Sequence, residues 1–191
     1  MAHIIIKSVS HLRSSFDRYR QRRRWKKLRA RGMFIGKGVN LPYSTWIDVA
    51  HCHLIHIGDN CGFGEQCAIL SHDAMPNEYI DATKIGRVNI LESCHFGMRT
   101  VITPGVTIGP RSIVGSNAVV VRNIPAETVA AGNPAKVVCS LSHFMDKHKE
   151  WMKNVPVFDY AEYGTKYLNK EKRIEMNEKL ADTVGYIVGG Y

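Results

Sequence analysis

From Ile90 onward every sixth residue is apolar: Ile90, Phe96, Ile102, Ile108, Val114 and Val120. Four places further into each repeat stand Cys94, Thr100, Val106, Ser112, Ala118 and Ile124, mostly small, and Gly97, Gly109 and Gly115 follow three of the large residues. An α-helix repeats every 3.6 residues and a strand every two, so neither explains a period of six. A short strand, a turn and another short strand, wound into a triangular coil, does. The same frame runs earlier through Ile57, Phe63 and Ile69, with Cys61 and Cys67 at the small position, and through Ile35, Leu41 and Ile47. Two gaps break it. Ile47 to Ile57 is ten residues and Ile69 to Ile90 is twenty-one, neither a multiple of six, so the chain leaves the coil in both places. The second excursion, about Ser71 to Lys84, opens with Ser71-His72-Asp73. A loop on a rigid scaffold is a favoured place for chemistry.

The flanks read as helices. Ile5, Val9, Leu12, Phe16 and Tyr19 recur at spacings of four and three, an amphipathic stripe that runs into a basic cluster. After Cys139, Ser142 is placed to cap a helix with Phe144, His148, Trp151 and Val155 on one face. A second helix is expected over Lys170 to Asp182, with an extended tail from Gly185 to Tyr191. The expected division is a basic amphipathic N-terminal helix at 1–32, an all-β coiled domain at 33–139, and a helical C-terminal extension at 140–191.

Charge changes this picture in one place. Nine of the fourteen residues from Arg18 to Arg31 are basic, and the rest of the chain carries 17 basic and 17 acidic side chains, so the net +9 belongs to that segment. Nucleic-acid binding would bring a recognisable motif or an aromatic platform, and Tyr19 and Trp25 alone do not make one. A helix lying on a membrane surface and a helix packed on the end of the coil both fit. No apolar run approaches the ~20 residues of a membrane span, and the first residues lack the apolar core of an export signal. The expected location is cytoplasmic, with contact to the inner membrane face as an addition if the basic helix serves that purpose. The five cysteines include no Cys-x-x-Cys pair, and Cys61, Cys67 and Cys94 read as small core residues.

Three segments resemble the hexapeptide-repeat acetyltransferases: Ile102-Thr-Pro-Gly-Val-Thr-Ile-Gly109, Val114-Gly-Ser-Asn-Ala-Val-Val-Val-Arg122, and Asn123-Ile-Pro through Ala-Gly-Asn-Pro-Ala-Lys136. The likeness spans roughly residues 33 to 139. It implies a left-handed parallel β-helix of hexapeptide repeats and a homotrimer, with acetyl-CoA lying between neighbouring subunits. It implies transfer of an acetyl group to a small-molecule or lipid-linked sugar acceptor, nearest to the O-acetyltransferases of sugars and surface polysaccharides. An N-acetyltransferase of the same fold would carry nearly the same residues. A non-catalytic β-helix and a carbonic-anhydrase-like metal enzyme are the other readings.

Acyl transfer to a hydroxyl needs a base, and histidine titrates near neutral pH. His72, at the start of the excursion, stands near the position of the family's catalytic histidine. Asp73 and Glu65 are candidates to orient its ring, with Asp59 also in range. His95 reads as an acceptor or coenzyme contact, or as a solvent-facing strand residue. For the coenzyme, the resemblance carries over to Met98, Ser116, Val121, Arg122 and Lys136, the last two as partners for phosphate. His51, His53 and His56 cluster in sequence but lack a third histidine at the spacing a zinc site would need, so no metal site is expected.

Overall fold

The computed structural model describes residues 19–190. The apolar stripe from Ile5 to Phe16 lies outside them. Contacts divide the chain into two units, Met1–Leu141 and Ser142–Tyr191.

The first unit is a coil of parallel strands two to four residues long on three faces. The first face stacks Phe34–Ile35, Ile55–Ile57, Val88–Ile90 and Thr107–Ile108. The second stacks Gly62–Phe63, His95–Phe96, Ile113–Val114 and Thr128–Ala131, and the third Trp46–Ile47, Ala68–Ile69, Val101–Ile102 and Val119–Val120. Each large residue of the sequence frame lies directly above its equivalent in the coil below: Ile35 on Ile57 on Ile90 on Ile108, and Ile47 on Ile69 on Ile102 on Val120. Stacked aliphatic side chains fill the interior, and Ile57, Ile69, Ile90, Ile102, Ile108, Val114 and Val120 are all buried. Phe63 and Phe96 stack with centroids 4.5 Å apart.

The small positions also carry hydrogen bonds. Thr100 Oγ1 donates to the Gly97 and Gly115 carbonyls, and Ser112 Oγ to Pro125 O at 2.7 Å. The Cys61, Cys67 and Cys94 thiols reach carbonyls of the next coil at Leu91, Gly97 and Gly109. All three are buried and unpaired by disulfides. Burial pushes the Cys67 thiol above its ordinary range, which keeps it protonated and unreactive.

The last coil is closed by Lys136–Ser140, which turns back antiparallel on Thr128–Ala131. At the other end a helix covers the described residues 19–30. Its Leu28 is buried, and its polar side chains reach backbone carbonyls of the first coil: Gln21 to Leu41, Arg24 to Tyr43 and Thr45, Arg29 to Ile35. Arg20 and Arg24 also lie over the Tyr43 ring, at 4.5 and 5.4 Å from its centroid. Of the two expectations for the basic segment, packing on the coil end is what the described part does. Contact with a membrane gains no support, and no described helix is long and apolar enough to cross one.

The boundary falls at the first residue of a helix over Leu141–Met152, which places Ser142 inside its first turn rather than at its cap and leaves Val155 beyond its end. A helix over Lys170–Lys179, capped by Asn169 through the Lys172 amide, is shorter than expected. The tail is not merely extended: Tyr186–Val188 pairs in parallel with Val157–Asp159, a strand the sequence reading did not anticipate.

Candidate active site

Both gaps in the six-residue frame open at the corner where the third face gives way to the first. The shorter excursion leaves after Ile47, passes through Asp48 and His51, and returns through a single tight turn at Cys52–Leu54 to Ile55. The longer one leaves one coil further on, after Ile69. There His72–Asp73 pairs antiparallel with Lys84–Ile85, and a one-turn helix at Asn77–Ile80 forms the tip. The base of this hairpin is closed by the Gly86 amide on Ser71 O at 3.0 Å. Because the two strands preceding the gaps are stacked, Trp46 on Ala68 and Ile47 on Ile69, the residues that follow them are stacked too. Continuing that register brings Asp48 level with Leu70, from where its side chain reaches Ser71 and His72.

The Asp48 carboxylate is the organising group. Its Oδ2 lies 2.5 Å from His72 Nδ1 and accepts from Ser71 Oγ at 2.7 Å and the Ser71 amide at 3.2 Å, while Oδ1 accepts from the Ala50 amide at 3.1 Å. The Asp48 side chain is 2% exposed and that of His72 31%. Burial pushes the Asp48 carboxyl up, but the bonds from Ser71 and His72 outweigh it and hold its pKa down at about 2. An ionised Asp48 accepts and cannot donate, so a neutral His72 keeps its proton on Nδ1 and presents a bare Nε2. Such a nitrogen can take a proton from a hydroxyl, and the buried carboxylate stabilises the imidazolium that results.

The acid that faces His72 is therefore Asp48, and the expected orienters fall elsewhere. The Asp73 carboxylate turns back to the Met75 amide at 3.0 Å. Glu65 is exposed at a different corner and accepts from the Ser44 hydroxyl. Asp59 accepts from the Lys37 amide. His95 lies exposed on the second face, between Gly62 and Ile113, and not at the His72 corner.

The residues carried over for the coenzyme divide between two edges of the third face. Met98 and Ser116 sit at the corner before it on successive coils, and Asn117 N donates to Met98 O at 2.9 Å. Met98 and Ser116 are both exposed. Val121 and Arg122 sit at the corner after it, on the same edge as His72 but two coils further on, about 10 Å along the axis. Lys136 follows the turn that caps this face, in which Ala135 N donates to Val119 O at 2.8 Å. Arg122 and Lys136 are exposed, and neither forms an ion pair with a described residue.

Residues 87–122 match the family model described as bacterial transferase hexapeptide, six repeats. This segment is a hexapeptide-repeat coil. The fold is accordingly the left-handed β-helix, and the hexapeptide-repeat acetyltransferase VCA0836 from Vibrio cholerae has a similar one, with a TM-score of 0.50 at 22% identity over 62% of this chain and 80% of that one. Among sequence relatives, the putative acetyltransferase YvoF of Bacillus subtilis is 27% identical over 62% of the chain, and a putative acetyltransferase of Schizosaccharomyces pombe is 36% identical over 49%. The chain spans 66% and 45% of those two relatives' own lengths. The matched hexapeptides include Met98, Ser116, Val121 and Arg122, while Asp48, His51, Ser71 and His72 precede them.

Proposed function

We propose that the chain is an acetyl-CoA-dependent O-acetyltransferase acting on a sugar or surface-polysaccharide precursor, by direct transfer with His72 as general base. The observation that carries the reading is the His72–Asp48 pair, with a half-buried imidazole whose Nδ1 is committed to a buried, ionised carboxylate. The names of the relatives support acetyl transfer, and the sugar acceptor rests on the resemblance to the O-acetyltransferases. In the reaction the acceptor oxygen attacks the thioester carbonyl carbon while its proton passes to His72 Nε2. The tetrahedral intermediate then collapses with cleavage of the C–S bond, and the imidazolium returns the proton to the departing CoA thiolate. No residue needs to carry the acetyl group, since holding both substrates together supplies much of the acceleration.

His72→Ala is expected to lower turnover by roughly 10²–10⁴, the worth of a positioned acid–base group, with little change in CoA affinity. The assay is free-thiol release over a panel of sugar acceptors, with His95→Ala as a control that should cost far less. Equal activity in wild type and His72→Ala would falsify the assignment.

A further inference from the structure

The spacing of His51, His53 and His56 does not suggest a metal site, but the fold sends these histidines to different places. His56 stacks on Phe34 with centroids 4.2 Å apart, and His53 is exposed. His51 instead turns its ring toward His72, with centroids 5.3 Å apart and planes tilted by 51°. One ligand atom each from Asp48, His51 and His72 lies within 4.8 Å of the others. The His51 Nδ1 is buried with no hydrogen-bond partner among the described residues. A buried ring nitrogen without a partner is costly, and a metal ion is one group that satisfies it. Two imidazoles and a carboxylate are the donor set of zinc sites with three protein ligands, which leave a fourth position open.

We propose that Asp48, His51 and His72 form a binding site for a divalent transition-metal ion of the zinc type, and that its occupation switches the enzyme off. One condition of metal binding is already met, because the fold gathers the three side chains. Inhibition follows from the tautomer. A metal on His72 Nδ1 displaces the proton held toward Asp48, and the neutral ring then carries its proton on Nε2, where the acceptor hydroxyl must be deprotonated. A metal on Nε2 blocks that nitrogen directly. In both cases the base is lost while the coenzyme residues at Met98, Ser116 and Arg122 are untouched. The binding site stands on geometry alone; the inhibitory consequence rests on His72 being the base.

The test uses the full chain, stripped with chelator and titrated with zinc against a chromophoric competitor, with cobalt(II) absorption as a second readout. Saturable binding of one ion per chain is expected, with His51→Gln weakening it at least about tenfold and His53→Gln leaving it unchanged. In the acetyl-transfer assay, zinc should inhibit wild type reversibly on chelator addition. Measured against its own metal-free rate, His51→Gln should lose the zinc sensitivity. Absence of stoichiometric zinc binding, or equal affinity in wild type and His51→Gln, overturns the site. Zinc bound at the site with turnover unaltered overturns the switch. If zinc binds as expected but the metal-free protein transfers no acetyl group to any acceptor, the site survives and the proposed function fails.

Discussion

Asp48 shows how one carboxylate sets both the chemistry and part of the stability of this corner. Oδ2 receives two donors from Ser71 and one from His72. In Asp48→Asn the amide cannot serve all of them: an NH₂ facing Ser71 sets donor against donor, and one facing Nδ1 favours the tautomer with the proton on Nε2. Turnover is expected to fall by about 10² or more, toward the loss that follows removal of the base itself. Stability should fall with it, and the pH dependence identifies why. The folded pKa of about 2 lies below the ordinary 3.8, so ionised Asp48 stabilises the fold above pH ~4, and that contribution is lost as pH falls toward 2. The depression is worth about 2 kcal/mol. In urea unfolding, the gap between wild type and Asp48→Asn should narrow steadily between pH 5 and pH 3; a constant gap would mean that ionisation is not what Asp48 contributes.

His72 was legible from sequence because it opens the longer interruption. Asp48 was not, although it opens the shorter one: the two gaps had to be recognised as leaving the same corner of stacked coils. Asp73 was drawn in as the chain neighbour of His72, and Glu65 as a residue roughly one coil earlier; a full coil runs over three faces, so Glu65 falls at a different corner.

At the scale of the element, the six-residue frame fixes which side chains point inward but leaves the corners unread. Asn60, Gln66, Ser93, Arg99, Arg111 and Asn117, each third after a large apolar residue, adopt φ between 55° and 60°. Non-glycine residues pay about 1–2 kcal/mol for that conformation, and regular stacking supports it. Two glycines separate the demands of a corner. Gly97 is required by space, since a Cβ there would lie 2.4 Å from the Ser116 amide nitrogen, whereas Gly105 has φ of 86° and open space around it. Gly105→Ala should therefore cost about 1–2 kcal/mol of strain. Gly97→Ala must push two coils apart at the Met98–Ser116 corner, so it should lower the melting temperature further and weaken CoA binding too. Thermal unfolding and CoA titration of the two variants would expose a mistake here if Gly105→Ala proved the more damaging. The C-terminal unit was harder to read than the coil, because its Val157–Asp159 and Tyr186–Val188 strands are three residues each and pair across two intervening helices, Tyr160–Tyr163 and Lys170–Lys179. No local period marks such a pairing.

For the whole molecule, the division between two edges of the residues that the family resemblance carries over for the coenzyme bears on assembly. Met98 and Ser116 line one edge of the third face, and His72, Val121 and Arg122 the other, so a single extended coenzyme on one chain would have to cross the face to meet them all. Copies packed side by side set one edge against the opposite edge of a neighbour, which is the physical case for the trimer that the family resemblance implies. The hairpin beside His72 presents the means, since Met75, Tyr79 and Ile80 at or near its tip are 82%, 87% and 70% exposed and Ile85 at its base 57%, more apolar surface than a free loop usually leaves to water. We therefore expect light scattering to give a trimer. A Tyr79→Ser, Ile80→Asp double variant should dissociate it and lose CoA affinity and turnover together, with the coil of each chain still folded by circular dichroism. In the native assembly, Arg122→Gln and Lys136→Gln should each weaken CoA roughly 10- to 150-fold if their contacts to phosphate are well formed, the equivalent of about 1.5–3 kcal/mol, and should flatten its salt dependence. Turnover at saturating acetyl-CoA should hardly change in either variant, because both cations lie along the coil from His72 rather than beside it. A monomer with full activity would remove the argument from assembly, while unchanged CoA affinity in both charge variants would leave these side chains as ordinary solvated cations.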